Sequence, residues 1–416
     1  MPDAVFRKLS VVLVGNALMR VAGSAGSFLV GVYIADLVKQ GRTFDALLVG
    51  TLSAISFGAE LVGALPMGAL SDAKTPRVLM VGGALLGAVA TQLFNLGNGA
   101  IAVFFLSRAL EGLAVAATTP SVLAYLTNAT DGDEKLRGKA MSYFELSLLG
   151  GLAFGGLVAG GLWKTLQGGA FSAVAGLYVL TALLFGVSGG GGKPTSAENV
   201  FASLKSAVTD PFLRRLAPAW LCVNAMVGLW LGSTLPFLLT LKERKGQYIT
   251  GLFADEPDRV GVVFLVYAIV FAVGVTSWSF IIHRFPRTFV MRVTLVALFG
   301  ACAGLYVLNH SQSFSTVARI GVIVATALAV MVESGFTPAA LALLADAVGG
   351  QTGRGATMGI YSVLLSVAAL TGSLLAGIAG KQLAIDGLIY VTVALAAFSF
   401  ITVSFLHDPP RKENDG

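Results

Sequence analysis

Apolar positions in this chain come in long unbroken runs rather than in stripes. After a short polar start with Arg7 and Lys8, the first run extends to about Leu37, and others follow at about 46–70, 78–97, 101–126, 140–163 and 168–188. A helix needs roughly 20 apolar residues to cross a hydrocarbon core, so each run predicts one membrane-spanning helix. The first run is too long for a signal-peptide core. Gly189 to Gly192 and Lys193-Pro194 then end the pattern. Thr195-Ser196-Ala197-Glu198 has the form of a capping box, and Phe201, Leu204 and Val208 give one apolar stripe. Together they predict a short amphipathic helix at the membrane surface, ending near Asp210-Pro211. A second series of runs follows at about 216–240, 260–282, 288–308, 316–346, 356–379 and 385–406. The expected fold class is an all-α membrane protein with twelve transmembrane helices in two related six-helix bundles. The N-terminal bundle is expected over residues 1–188, a cytoplasmic linker with the amphipathic helix over 189–215, and the C-terminal bundle with a short tail over 216–416.

Composition agrees with this picture and removes several alternatives. Hydrophobic residues make up 56% of the chain and charged residues 12%, with a mean hydropathy of +0.81. Soluble domains carry about 25% charged residues, so this chain cannot cover a closed core with a soluble surface. The 51 glycines lie within apolar runs, where small residues let helices pack closely in lipid. The net charge of +6 does not point to nucleic acid, because no basic cluster is interleaved with aromatics. It reflects loop asymmetry: seventeen Lys and Arg fall on the side of the N-terminus and nine on the other, with Arg20 and Arg108 left inside the membrane. That bias places both termini in the cytoplasm, in a cytoplasmic (inner or plasma) membrane. Cys222 and Cys302 lie in apolar runs far from any third ligand, and His283, His310 and His407 sit at or beyond run ends. No metal site, disulfide or histidine relay is expected, and no cofactor. An intramembrane enzyme would need an aspartate-rich metal cluster or a buried serine–histidine pair, and ATP drive would need a phosphate loop; the sequence carries neither.

Charges inside the spans are the candidate chemistry, since an ionisable group at bilayer depth costs about 2.5–3.5 kcal/mol unless it faces a protein interior or a wet cavity. Arg108 and Glu111 stand three apart in the fourth run, share a helix face and can neutralise one another; Gly112 leaves room for a neighbouring helix or a ligand. Asn16, Arg20 and Ser24 form a polar stripe in the first run. Arg20 would bind an anionic group or pair with Glu60 of the second helix. Glu145, near the start of the fifth helix, would be a gate or a partner of Arg137. Glu333 is the sole mid-helix charge of the second half, with no basic residue at bilayer depth beside it in that half; it is either a proton carrier or a hydrogen-bonded packing residue. Trp220, Asn224 and Trp230 in the seventh helix and Tyr361 in the eleventh are candidate cavity-lining residues or packing anchors.

The two halves repeat one another. Thr119-Pro120-Ser121-Val122-Leu123-Ala124-Tyr125-Leu126 matches Thr337-Pro338-Ala339-Ala340-Leu341-Ala342-Leu343-Leu344, and Arg137-Gly138 with Met141 matches Arg354-Gly355 with Met358. Parallel repeats of six spans are one arrangement of secondary transporters, with the site between the halves near the midplane.

Three motifs carry a resemblance to a family. Gly68-Ala69-Leu70-Ser71-Asp72-Ala73-Lys74-Thr75-Pro76-Arg77, between the second and third helices, resembles the cytoplasmic loop signature of the major facilitator superfamily. Ala73 stands where a basic residue is common and Pro76 replaces the usual glycine; the equivalent second-half loop has Ile282 where Asp72 would align. Arg108-Ala109-Leu110-Glu111-Gly112 is similar to the family's fourth-helix signature, which in relatives is linked to proton coupling. Gly151, Gly155, Gly156, Gly160 and Gly161 are similar to the glycine-rich fifth helix of its drug antiporters, with Gly156 in place of a proline. The resemblance covers nearly the whole chain. It implies a gating role for Gly68, Asp72 and Arg77, and a secondary active transporter that is not an enzyme. It further implies proton-coupled movement of a small organic solute by alternating access, efflux of amphiphilic compounds favoured. An organic-anion transporter using Arg20 is the alternative, and a lipid flippase or a non-transporting sensor on the same fold stays open. The expected partners are the solute, protons and the bilayer, with no nucleic acid, for a monomer.

Overall fold

A computed structural model of the protein describes residues 2–73, 76–130, 133–188, 211–348 and 354–408. The surface helix expected near 195–210 lies outside these residues. In the first half the helices are α1 (Pro2–Lys39), α2 (Ala46–Ala73), α3 (Pro76–Leu96), α4 (Ile101–Ala129), α5 (Glu134–Leu166) and α6 (Gly169–Val187). In the second half they are α7 (Pro211–Leu231), α8 (Thr234–Thr240), α9 (Val260–Ile281), α10 (Arg287–Asn309), α11 (Thr316–Glu333), α12 (Phe336–Val348), α13 (Arg354–Leu383) and α14 (Ile385–Ser404). Among the described residues, twelve helical stretches are long and apolar enough to cross a membrane.

Two spans differ from the continuous helices that hydropathy predicts. The seventh breaks at Gly232-Ser233 into α7 and α8, and the tenth breaks at Ser334-Gly335 into α11 and α12. The physical reason is the same in both. Proline has no N–H to donate and its ring clashes with the carbonyl four residues earlier; Pro236 puts that conflict at Gly232 and Pro338 puts it at Ser334. The internal repeat supplies a control, because Pro120 is the mate of Pro338 yet α4 runs through it unbroken. Ala116-Ala117 precede Pro120 where Ser334-Gly335 precede Pro338. Glycine and serine pairs favour such breaks, so the small-residue pair decides whether the proline conflict opens the helix.

Packing within the first six helices runs α1 against α5 and α6, α2 against α4, and α3 against α4 and α6; in the second set α7 meets α13 and α14, and α10 meets α11, α12 and α14. The two sets meet through α2 with α13, α5 with α9, and α1 with α8. These contacts are made where side chains are smallest. A Cβ placed on Gly50 would lie 2.5 Å from the Gly377 Cα, and one on Gly261 would lie 2.4 Å from the Gly156 carbonyl oxygen, so the backbones touch.

At the end of the molecule away from the chain termini, ion pairs cross between the sets. Lys381 Nζ lies 2.9 Å from Asp45 Oδ2, and Lys164 Nζ lies 2.9 Å from Asp258 Oδ2. The pairs are mates in the repeat: each lysine lies in the last turn of the fifth helix of its set (α5, α13), and each aspartate stands one or two residues before the second (α2, α9). Lys39 adds a hydrogen bond to the Ala254 carbonyl. The connection between α8 and α9 is held down on this face by the carboxylate of Asp386, which accepts from Asn309 Nδ2 (2.8 Å) and Gln247 Nε2 (3.0 Å). Between the sets the Ser233 N–H also donates to Ser53 Oγ at 3.3 Å.

A candidate transport site between the helix sets

The α1 stripe has a matching stripe on α5. Asn16, Arg20 and Ser24 are spaced by four residues, as are Ser147, Gly151 and Gly155. Asn16 Nδ2 donates to Ser147 Oγ at 2.6 Å, a Cβ on Gly151 would lie 2.7 Å from the Arg20 Cβ, and one on Gly155 would lie 2.6 Å from the Ser24 Oγ. The constant offset means that α1 and α5 run parallel and in register, so the glycines that resemble a drug-antiporter motif seat the polar face of α1. Arg20 Nη2 donates to Thr119 Oγ1 at 3.2 Å, and its guanidinium carbon lies 5.7 Å from the centre of the Phe144 ring. Glu60 of α2 is within electrostatic reach of Arg20.

Deeper in the first set, Arg108 and Glu111 are both buried and form an ion pair. Arg108 also donates from Nε to the Leu52 carbonyl and from Nη2 to Ser27 Oγ, both at 3.4 Å. A Cβ on Gly112 would lie 2.0 Å from the Ser56 carbonyl oxygen. The room left by Gly112 is therefore taken by the α2 backbone, and the pair ties α1, α2 and α4 together. Tyr178 of α6, fully buried, is within electrostatic reach of Glu111, Arg108 and Arg20. Sequence reasoning missed it, since a lone tyrosine in an apolar run carries no positional signal.

In the second set, Glu333 is the last residue of α11, at the break rather than in mid-helix as expected. Its place is fixed by the neighbours of the break: Trp278 Nε1 donates to the Val332 carbonyl at 2.9 Å, and Gly335 packs against the same indole. Tyr267 and Cys302 are the groups on α9 and α10 within electrostatic reach of Glu333. Among the described residues, Glu333 makes no ion pair. Trp220 and Asn224 are buried, and Asn224 Nδ2 donates to the Trp220 carbonyl at 2.9 Å; Trp230 Nε1 donates to Thr392 Oγ1 at 2.8 Å. Arg77 donates to the Gly186 carbonyl and so ties α3 to the end of α6, while a Cβ on Gly68 would meet nothing within 4 Å. Asp72, Glu145 and Tyr361 lie on α2, α5 and α13, and their side chains are outside the described set.

Between the sets lies a small void of about 10 Å³, room for about one water, lined by Ser24 and Phe28 of α1, Gly156 of α5, Leu231 and Gly232 at the seventh-span break, Pro236 of α8 and Phe264 of α9. Phe28 and Phe264 face each other across it edge to face at 6.1 Å. The polar stripe of α1 thus ends at a small void shared by both sets.

A family model described as Major Facilitator Superfamily matches residues 17–318 and 246–416. The chain belongs to the Major Facilitator Superfamily. Solved structures of that fold agree. The nucleoside transporter NupG superposes with a TM-score of 0.71 at 13% identity, over 95% of this chain and 97% of that one. A bacterial homolog of the human lysosomal transporter Spinster, in an inward-facing and unoccupied conformation, gives 0.71 at 13% identity over 96% of both chains. A POT family transporter in complex with a thioalcohol-conjugated peptide gives 0.70 at 13% identity, again over 96% of both. No curated protein sequence resembles the chain closely enough to count as a relative. In superfamily terms, the twelve spans are those of a membrane transporter.

Proposed function

We propose that the protein is a proton-coupled secondary transporter that moves a small organic solute by alternating access between residues 1–188 and 216–416. Amphiphilic solutes leaving the cytoplasm are the favoured cargo. The observation that carries the reading is the asymmetry of charge across the seam. In the first set Arg108 is neutralised by Glu111, and Arg20 is engaged by Thr119 with Glu60 nearby. Glu333 in the second set has no cation to answer it. An unanswered carboxyl in a membrane interior is suited to carry a proton or to meet a cationic head group. Arg20, already held in the α1–α5–α4 packing, is less suited to capture an anion, which weighs against the organic-anion alternative.

With both termini in the cytoplasm, the face closed by the two Lys–Asp pairs is the external one and the state is inward-facing. This is the conformation named for the Spinster homolog that shares the fold. Gly68, Asp72 and Arg77 would then belong to the cytoplasmic gate that closes in the opposite state, and Glu145, Trp220, Asn224 and Tyr361 to the walls of the path. The deciding measurement is transport in proteoliposomes with an imposed pH gradient, comparing wild type with Glu333→Gln. The variant is expected to lose gradient-driven transport and to keep solute exchange in the absence of a gradient. Uphill transport at the wild-type level by Glu333→Gln would overturn the assignment.

A further inference from the structure

The turn from α9 to α10 and the first turns of α10 hold a concentration of cations without acids. Arg284, Arg287 and Arg292 fall within nine residues, and no Asp or Glu occurs between Asp258 and Glu333. Phe280, Phe285 and Phe289 are 70%, 40% and 48% exposed in the same stretch. The C-terminal tail returns here, where Asp408 accepts from the Thr288 backbone N–H at 3.2 Å and its hydroxyl at 2.8 Å. The surface therefore lies on the side of the chain termini, and the Asp408 carboxylate that reaches it is already bound to Thr288.

Arg292 is the unusual member. It lies five residues beyond Arg287, about 7.5 Å further along the helix axis at 1.5 Å per residue. Along α10 it stands between the exposed Phe289 and Val296 on one face. Its Nε is buried with no hydrogen-bond partner, and Arg292 makes no ion pair among the described residues. Packing does not require a cation here. At the offset of 210 residues that aligns Pro286-Arg287 with Pro76-Arg77, Gly82 of α3 occupies the place of Arg292.

We propose that Arg292, with Arg284 as the outer cation, forms a binding site for the phosphate of an anionic phospholipid in the leaflet on the side of the termini. The inference stands apart from the transport reading. A guanidinium offers paired donors that fit a phosphate, and basic pockets at this depth recognise anionic head groups. The flanking phenylalanines and Val296 supply the apolar surface along which acyl chains lie, which a free anion would have no use for.

The test uses the full-length protein in an uncharged detergent, titrated with phosphatidylglycerol, with phosphatidylcholine, and with inorganic phosphate. Thermal unfolding and native mass spectrometry of retained lipid are the readouts. Phosphatidylglycerol is expected to raise the wild-type Tm and to be retained. Arg292→Gln should need roughly tenfold more of it for the same response, the loss expected for one charge-assisted contact. Arg292→Val should behave alike and guards against a folding defect peculiar to glutamine. Lys242→Gln, on the opposite face, should respond as wild type. The proposal is overturned if both Arg292 variants respond at wild-type lipid concentrations, or if phosphatidylcholine or inorganic phosphate gives the same shift as phosphatidylglycerol.

Discussion

Arg108 and Glu111 show what a single spacing can reveal, and where it stops. Three residues apart in an apolar run, they had to share a helix face, and the structure pairs them in a buried site with Leu52 and Ser27 as further acceptors. The partner stripe of Asn16, Arg20 and Ser24 was equally legible, but the residues it meets, Ser147, Gly151 and Gly155, were not, because contact between helices has no signature along the chain. Tyr178 was hidden for the same reason. The buried pair leads to a prediction about stability. Removing one partner of a buried ion pair leaves an uncompensated charge and costs about 3–5 kcal/mol, whereas replacing both by apolar residues is often neutral. Arg108→Leu alone should therefore lower the Tm sharply, and Arg108→Leu with Glu111→Leu should recover most of the loss. Thermal unfolding of the three proteins checks the sign. Transport by the refolded double variant should stay impaired if the pair also rearranges between states; a fully active double variant would confine it to a structural role.

At the scale of helices, all twelve spans were legible in hydropathy, because bilayer thickness sets the length of an apolar run whatever the helix packs against. The two breaks were not, because the stretches at about 216–240 and 316–346 read as single apolar runs and hydropathy does not sense hydrogen-bond continuity. The signal was present in Gly232-Ser233 before Pro236 and Ser334-Gly335 before Pro338, and the unbroken Ala116-Ala117 before Pro120 shows which part of it matters. Glu333 owes its position to this break. A Cβ on Gly335 would lie 2.5 Å from the Trp278 Nε1 and 2.6 Å from its Cε2, closer than atoms approach in proteins. Gly335→Ala should push the indole away from the Val332 carbonyl at a cost of about 1–3 kcal/mol, typical of overpacking. The expected result is a lower Tm together with a shift in Trp278 emission. Gly161→Ala, where a Cβ meets nothing within 4 Å, is the matched control and should change neither.

For the molecule as a whole, the question is how firmly the closed face is held. Asp45 and Lys381 are each about half exposed, with side-chain exposures of 41% and 51%, so the pair contributes only about 0.2–1 kcal/mol. Its mate Lys164–Asp258 is of the same kind. Two such latches bias a two-state equilibrium without locking it, which suits a transporter that must open this face in every cycle. Burial by itself would raise the Asp45 carboxyl, but the Lys381 ammonium and the Leu48 N–H more than offset it and hold it below the ordinary carboxylate value. A group whose pKa is lowered in the closed state supports that state above its ordinary pKa and loses the contribution as pH falls through the lowered one. The Asp45 latch is thus constant across neutral pH and weakens only below about pH 4, so any pH dependence of transport near neutrality must arise elsewhere. Spin labels on α2 and α13 at this face provide the readout. Asp45→Asn combined with Asp258→Asn should shift the distance distribution toward the open state by about three- to tenfold in population at pH 7, and lowering the pH to 5 should leave the wild-type distribution unchanged with respect to this pair. A double variant with wild-type distances would mean that the glycine contacts of Gly50 with Gly377 and Gly156 with Gly261 hold the face closed by themselves.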